Sequence, residues 1–151
     1  MLNPDFSDML SALSAENAEF LVVGGYALSA HGYPRATGDI DIWIRATEEN
    51  AARVYAALKR FKAPLSRLTE ADLTEPDVVF QIGVAPNRID ILTSIDAVDF
   101  DEAWADRKTV ELGGQTVAVM GREHLIKNKK AIGRPRDLAD VAELERLGWD
   151  G

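Results

Sequence analysis

The chain has 151 residues, 46% of them hydrophobic and 28% charged, which suits one globular domain with a real core. It has no cysteine, so disulfides, thiolate zinc sites and cysteine nucleophiles are excluded. The net charge of −8 argues against broad, non-specific nucleic-acid binding, which relies on many Lys or Arg contacts to phosphate. No stretch approaches the apolar length of a membrane span, and the acidic N-terminal segment lacks the basic start and apolar core of a signal peptide. A cytoplasmic location is the expectation.

In chain order, residues 5–16 read as a first helix. Phe20 to Val23 is a short β-branched run bounded by glycines and reads as a buried strand. A short helix over residues 25–31 closes at Gly32, with Pro34 beyond it. Ile40 to Ile44 is a second strand. Thr47 is placed to cap a helix whose first turn carries Glu48 and Glu49. Ala51, Val54, Tyr55, Leu58 and Phe61 hold helical spacing along it, and Lys59, Arg60 and Lys62 close it with cations. Residues 78–82 and 88–92 predict two strands joined by a turn containing Pro86 and Asn87. Residues 108–112 and 115–119 predict a hairpin around Gly113-Gly114. Two helices follow, over residues 122–132 and 135–147, broken at Gly133, with Pro135 suited to a first helical position. Adjacent strands without helices between them exclude a purely parallel doubly wound sheet. The fold class is α+β, a mixed α/β chain.

The chemistry concentrates in three carboxylates. Side chains alternate along a strand, so Asp39 and Asp41 share one face while Ile40, Ile42 and Ile44 take the other. Asp90 sits between Ile89 and Ile91 in the same manner. An isolated Asp-x-Asp is, by itself, a common solvent face of an edge strand. A third acid in the segment RIDIL, and the upstream Gly24-Gly25, point instead to acids that converge. Converging acids resist joint ionisation unless a cation neutralises them. Their hard oxygen donors favour Mg2+ or Mn2+, and two such ions can position a nucleoside triphosphate for in-line displacement at phosphorus. Gly24 and Gly25 would let backbone N–H groups approach a phosphate; a plain chain turn needs the same residues, and the spacing of a P-loop or a dinucleotide fingerprint is absent.

Other residues carry two readings each. Lys129 shares a helix face with Leu125 and Ile132, so it points inward and needs an anion, either a nucleotide phosphate or a buried Asp. Lys127 and Lys130 fit a solvated face. Asp137, near the third position of the last helix, suits N-terminal capping. Arg35 and Thr37, just before the acidic strand, could bind phosphate or line an acceptor pocket. His31 reads as a helix-end residue rather than a metal ligand, with His124 in a different element. Trp43 falls on the Asp41 face, where it borders a cleft or packs.

The elements VVGGYAL, GDIDIWI and RIDIL, in this order, resemble the nucleotidyltransferase superfamily related to DNA polymerase β. The segment GGYALSAHGYPRATGDIDI, with HLIKNKKAIGRPRDLADVAELE, is most similar to the branch of AbiEii-like toxins and minimal nucleotidyltransferases. The resemblance spans about residues 20–147. It implies a nucleotidyltransferase fold, a small mixed sheet flanked by helices with a C-terminal helix pair, in a single domain over 1–151. The catalytic core would cover about 20–119 and the C-terminal helices about 121–147.

The resemblance further implies an enzyme that moves a nucleoside monophosphate from a nucleoside triphosphate such as ATP to a hydroxyl acceptor, tRNA or a small molecule. Asp39, Asp41 and Asp90 would hold magnesium, two ions with manganese as the substitute, and Asp90 could also act as general base. Gly24 and Gly25 would contact the triphosphate, with Arg35, Thr37 and Lys129 as further nucleotide-binding candidates and Asp137 supporting the site. A role in a toxin–antitoxin pair is implied as well, although the antitoxin-type enzymes that modify partner proteins usually carry Gly-Ser where this chain has Gly-Gly. A cognate antitoxin or a homodimer could supply the acceptor surface, marked by apolar exposure around Leu138, Val141 and Leu144. The competing reading is a catalytically silent nucleotide-binding or regulatory module that keeps the fold.

Overall fold

A computed structural model describes residues 2–33 and 38–147. Arg35 and Thr37 lie outside the described residues. The element order is α1 (Pro4–Ala15), β1 (Phe20–Val23), α2 (Gly24–Ala30), β2 (Ile40–Ile44), α3 (Glu48–Phe61), β3 (Val79–Ile82), β4 (Ile89–Leu92), α4 (Phe100–Ala105), β5 (Lys108–Leu112), β6 (Gln115–Val119), α5 (Arg122–Ile132) and α6 (Pro135–Arg146), with a short 3-10 turn at Ala71–Thr74. Local chemistry sets the ends of the helices. Asn3 caps α1 by accepting from the Asp5 N–H, and Thr47 caps α3 by accepting from the Asn50 N–H at 3.3 Å. Lys62 and Gly133, both in the left-handed conformation, terminate α3 and α5.

The strands form one mixed sheet in the order β3-β4-β2-β1-β6-β5. β1 and β2 are antiparallel, as are β3 and β4, and β5 and β6; β1–β6 and β2–β4 are parallel. β1 and β2 are interior strands, which is why their runs FLVV and IDIWI are buried almost throughout. Alternation along them splits the core in two. Phe20, Val22, Ile40, Ile42 and Ile44 pack against α1 and α3 on one face, with Ile89 and Ile91 of β4. Leu21, Val23 and Trp43 pack on the other, against Ala27 and Leu28 of α2, Ala103 of α4, Leu125 and Ile126 of α5, and Val141 and Leu144 of α6.

The structure differs from the sequence reading, or decides between its alternatives, at three points. The helix α4 has no counterpart among the sequence-predicted elements, because six residues are too few for a helical period to stand out; its sign is Asp99, whose side chain accepts from the Glu102 N–H. The last helix does not present a continuous apolar face. Val141 and Leu144 are buried in the second core cluster, and only Leu138 of the three is exposed. Trp43 is buried as well, edge-on to Phe100 with ring centroids 4.9 Å apart, so it packs and does not border a cleft.

Candidate active site

Strand register assembles the acids. Asp41 lies opposite Asp90 across the parallel β2–β4 pair and opposite Val23 across the antiparallel β1–β2 pair. Asp39 immediately precedes β2 on the face of Asp41. β2 is hydrogen-bonded on both sides, so this Asp-x-Asp is not the solvent face of an edge strand. Because β1 ends opposite Asp41, the next residue, Gly24, sits against its carboxylate. Gly24 has φ +69°, and a Cβ there would collide with Asp41 Oδ2. Only glycine meets both conditions. Gly38 meets a similar one, since a Cβ on it would run into the Pro86 carbonyl of the β3–β4 turn.

These acids are crowded. Asp41 is pushed up to about 6, first by burial and then by the charge of Asp90, a hydrogen bond shared with Asp90 and the charge of Asp39, against the pull of Arg88. Arg88 is the compensating cation. Its Nε donates to Asp90 Oδ1 at 2.7 Å and its Nη2 to Asp90 Oδ2 at 3.1 Å, while Nη2 lies 3.4 Å from Asp39 Oδ2. The Arg88 backbone N–H also donates to Asp39 Oδ1 at 3.0 Å.

A cavity of about 770 Å³ opens over this surface. Gly24, Gly25, Asp39, Asp41, Asp90 and Arg88 line one side, and Asn128, Lys129, Arg134, Arg136, Asp137 and Asp140 of the α5–α6 pair and its linker line another. Every sequence-predicted site residue within the described residues therefore reaches one cavity. Lys129 does point inward, and its partners are buried acids: Nζ lies 3.0 Å from Asp140 Oδ2 and 3.5 Å from Asp137 Oδ1. Asp137 performs the capping role. Its Oδ2 accepts from the Arg134 backbone N–H at 3.2 Å, and the Arg134 side chain donates to both of its oxygens. That side-chain donation, with Lys129 nearby, holds the Asp137 carboxyl below its ordinary range despite burial. Lys127 and Lys130 are exposed. His31 ends α2, with Nε2 at 2.8 Å from the Met120 carbonyl oxygen, and His124 pairs with Asp106.

Sequence reasoning missed Arg88, Arg134 and Asp140. Two spacings could have found two of them. Arg88 stands two residues before Asp90, on the same strand face, and Asp140 stands three after Asp137, on the same helix face.

As donors, Asp39, Asp41 and Asp90 suit a hard divalent cation: three carboxylates share one surface, and burial and mutual repulsion leave Asp41 short of positive charge. Among the described residues no trio of acidic or histidine side chains is already arranged as a ligand set. In this arrangement the Arg88 guanidinium supplies the neutralising charge.

No protein-family model and no curated protein matches the sequence at a significant level. Solved structures do match. A candidate nucleotidyltransferase of Thermotoga maritima, TM1012, superposes with a TM-score of 0.57 at 20% identity, covering 97% of this chain and 92% of its own. The lincosamide antibiotic adenylyltransferase LnuA, solved with lincomycin bound, gives 0.61 at 13% identity, covering 97% and 98%. The antibiotic-resistance factor ANT(2'')-Ia gives 0.62 at 18% identity, covering 95% and 80%. At these identities the likeness concerns architecture: the chain has the nucleotidyltransferase fold.

Proposed function

We propose that this chain is a metal-dependent nucleotidyltransferase that moves a nucleoside monophosphate from a nucleoside triphosphate to a hydroxyl of a small-molecule acceptor. The observation that carries the reading is the direct register of Asp41 with Asp90 on interior strands, with Asp39 beside them and a glycine forced against Asp41. Buried like charges in register cost stability, so a fold that keeps them is built to use them.

Asp39, Asp41 and Asp90 would hold magnesium. When bound, the metal supplies positive charge to the phosphates and to the developing negative charge at phosphorus. Gly24 and Gly25 leave the backbone open to the triphosphate at the end of β1, and Arg35 and Thr37, just before the acidic strand, are placed in sequence to meet phosphate or acceptor. Asp90 takes the proton of the acceptor hydroxyl as its oxygen bonds to the α-phosphorus, and the bond to pyrophosphate breaks. Lys129, Asp137 and Arg134 hold the opposite wall together as a paired network.

A small acceptor is favoured over tRNA on two grounds. The cavity, about 770 Å³, is of the size that small-molecule sites have. The net charge of −8 repels a polyanion. LnuA is a lincosamide antibiotic adenylyltransferase and ANT(2'')-Ia has been solved with adenylyl-2''-tobramycin, so lincomycin and tobramycin are the first acceptors to try. One observation favours the second reading, a nucleotide-binding module without transfer: both oxygens of Asp90 are engaged by Arg88.

The test is incubation with each labelled nucleoside triphosphate, Mg2+ and a panel of hydroxyl acceptors that includes total tRNA. Label should pass to a small acceptor, and Asp41→Ala should lower the rate at least a hundredfold. Nucleotide binding with no transfer to any acceptor would establish the silent module instead.

A further inference from the structure

We propose that Arg88 is a resident counter-ion of the acid cluster, which a divalent cation must displace before it can occupy Asp90. The inference rests on the cation-site reading above and concerns a residue whose role that reading leaves open.

The geometry is that of a clamp. Arg88 immediately precedes β4 and stands two residues before Asp90, so the two side chains meet on the face that Asp41 occupies on β2. The guanidinium meets Asp90 as a fork, with Nε on one oxygen at 2.7 Å and Nη2 on the other at 3.1 Å. Such bidentate pairs are the strong form of the charge-assisted hydrogen bond. Nη2 reaches toward Asp39 as well, at 3.4 Å, so one cation bridges the acids on either side of Asp41. The Asp90 side chain is only 9% exposed, which removes the water that would otherwise weaken the pair.

A divalent cation binding to Asp90 would stand beside this guanidinium. Two positive groups at that range repel strongly in a partly buried site, so the two occupants compete. The route out exists. The Arg88 side chain is 29% exposed and lines the cavity, so its fork can turn from the carboxylates into open space without moving β4. Its backbone stays anchored, because the Arg88 carbonyl accepts from the Ile40 N–H at 3.0 Å and the Arg88 N–H donates to Asp39. Only the side chain has to move. A freed guanidinium at a cavity wall also has the shape to take two phosphate oxygens.

The clamp therefore lowers affinity for a bare cation while keeping the apo acids neutralised. Losing a bidentate charge-assisted pair corresponds to about a ten- to hundredfold change in an equilibrium constant. Mn2+ binding to the nucleotide-free protein, followed by calorimetry at fixed pH and ionic strength, reads this directly. Arg88→Gln should bind Mn2+ about ten- to hundredfold more tightly than the parent. Arg88→Lys, which keeps the charge without the fork, should fall between the two, and it serves alone if the Gln variant fails to fold. Arg60→Gln, which removes a charge from an exposed pair with Glu16 at the C-terminal end of α1, should leave the affinity unchanged. In the parent, saturating Mg2+ should shift the Arg88 Nε–H resonance in a nitrogen-15 spectrum.

Mn2+ binding that is equal in the parent and both Arg88 variants, or an Arg88 Nε–H that saturating Mg2+ leaves in place, overturns the clamp and spares the cation site. Mn2+ binding by none of them, with Asp41→Ala indistinguishable from the rest, overturns the cation site itself and the clamp with it.

Discussion

Asp41 shows how a single side chain can be out of place for stability and in place for chemistry. Its folded-state value of about 6 lies above the usual carboxylate range, with burial as the first cause. The folded protein therefore keeps the Asp41 proton to higher pH than the unfolded chain does. The contribution of Asp41 to stability is fully present below the unfolded value near 4 and is lost as pH rises through about 6. In metal-free buffer, Asp41→Asn should then stabilise the fold at pH 8 by roughly 1–3 kcal/mol and change little at pH 4. Urea titrations at the two pH values measure the difference; an equal effect at both would show that the charge of Asp41 is not what strains the site. Asp137 has the opposite sign. Arg134 depresses it, so its contribution is present above the unfolded value and is lost as pH falls through the lower folded one. At Gly24 the constraint is steric. Gly24→Ala places a Cβ against Asp41 Oδ2 on a backbone with φ +69°, and should cost about 1–3 kcal/mol, read as a lowered urea midpoint.

At the scale of elements, the acids depend on two strands staying in register, and a buried amide helps to hold them. Asn50 of α3 accepts from the Glu19 N–H at 2.7 Å through Oδ1, and its Nδ2 donates to the carbonyls of Glu19 and Arg45 at 2.9 and 2.8 Å. Glu19 leads into β1 and Arg45 follows β2, so one side chain ties the start of one central strand to the end of the other. Asn50→Ala leaves three backbone groups without that partner and should cost about 2–4 kcal/mol in a urea melt. The α5–α6 pair is tied by charge. Lys129 and Asp140 are both buried, so Asp140→Ala should destabilise by about 3–5 kcal/mol, whereas Lys129→Met with Asp140→Leu should recover most of that loss. A double-mutant cycle of melting data separates the two results. The sequence showed Lys129 facing inward. It left the anion open, because helical spacing orients a side chain and does not name what it meets across a turn.

The whole molecule is a mixed sheet with helices on both faces, and the cavity lies where the ends of β1, β2 and β4 face the last two helices. No helix among the described residues is long and apolar enough to cross a membrane. The charge of −8 is a property of this scale too. Total tRNA should show no measurable binding at 150 mM salt in an anisotropy titration, and a submicromolar affinity that weakens steeply with salt would return tRNA as the acceptor.

Much of this was legible along the chain. The alternation of DIDIWI and RIDIL put Asp39, Asp41 and Asp90 on one polar face, and the cap at Thr47, the stop at Gly133 and the first helical position at Pro135 marked the helix ends. These are local facts, set by the periods of strand and helix and by the backbone needs of a few residues. Strand order is not local. Only the tertiary structure paired β2 with β4 in parallel, put Asp41 opposite Asp90 and brought α5 and α6 over them, because pairing is decided by which faces can be buried together. Arg88 shows the difference most plainly: in the sequence it is one more basic residue before a strand, and in the fold it is the cation that holds two of the three acids.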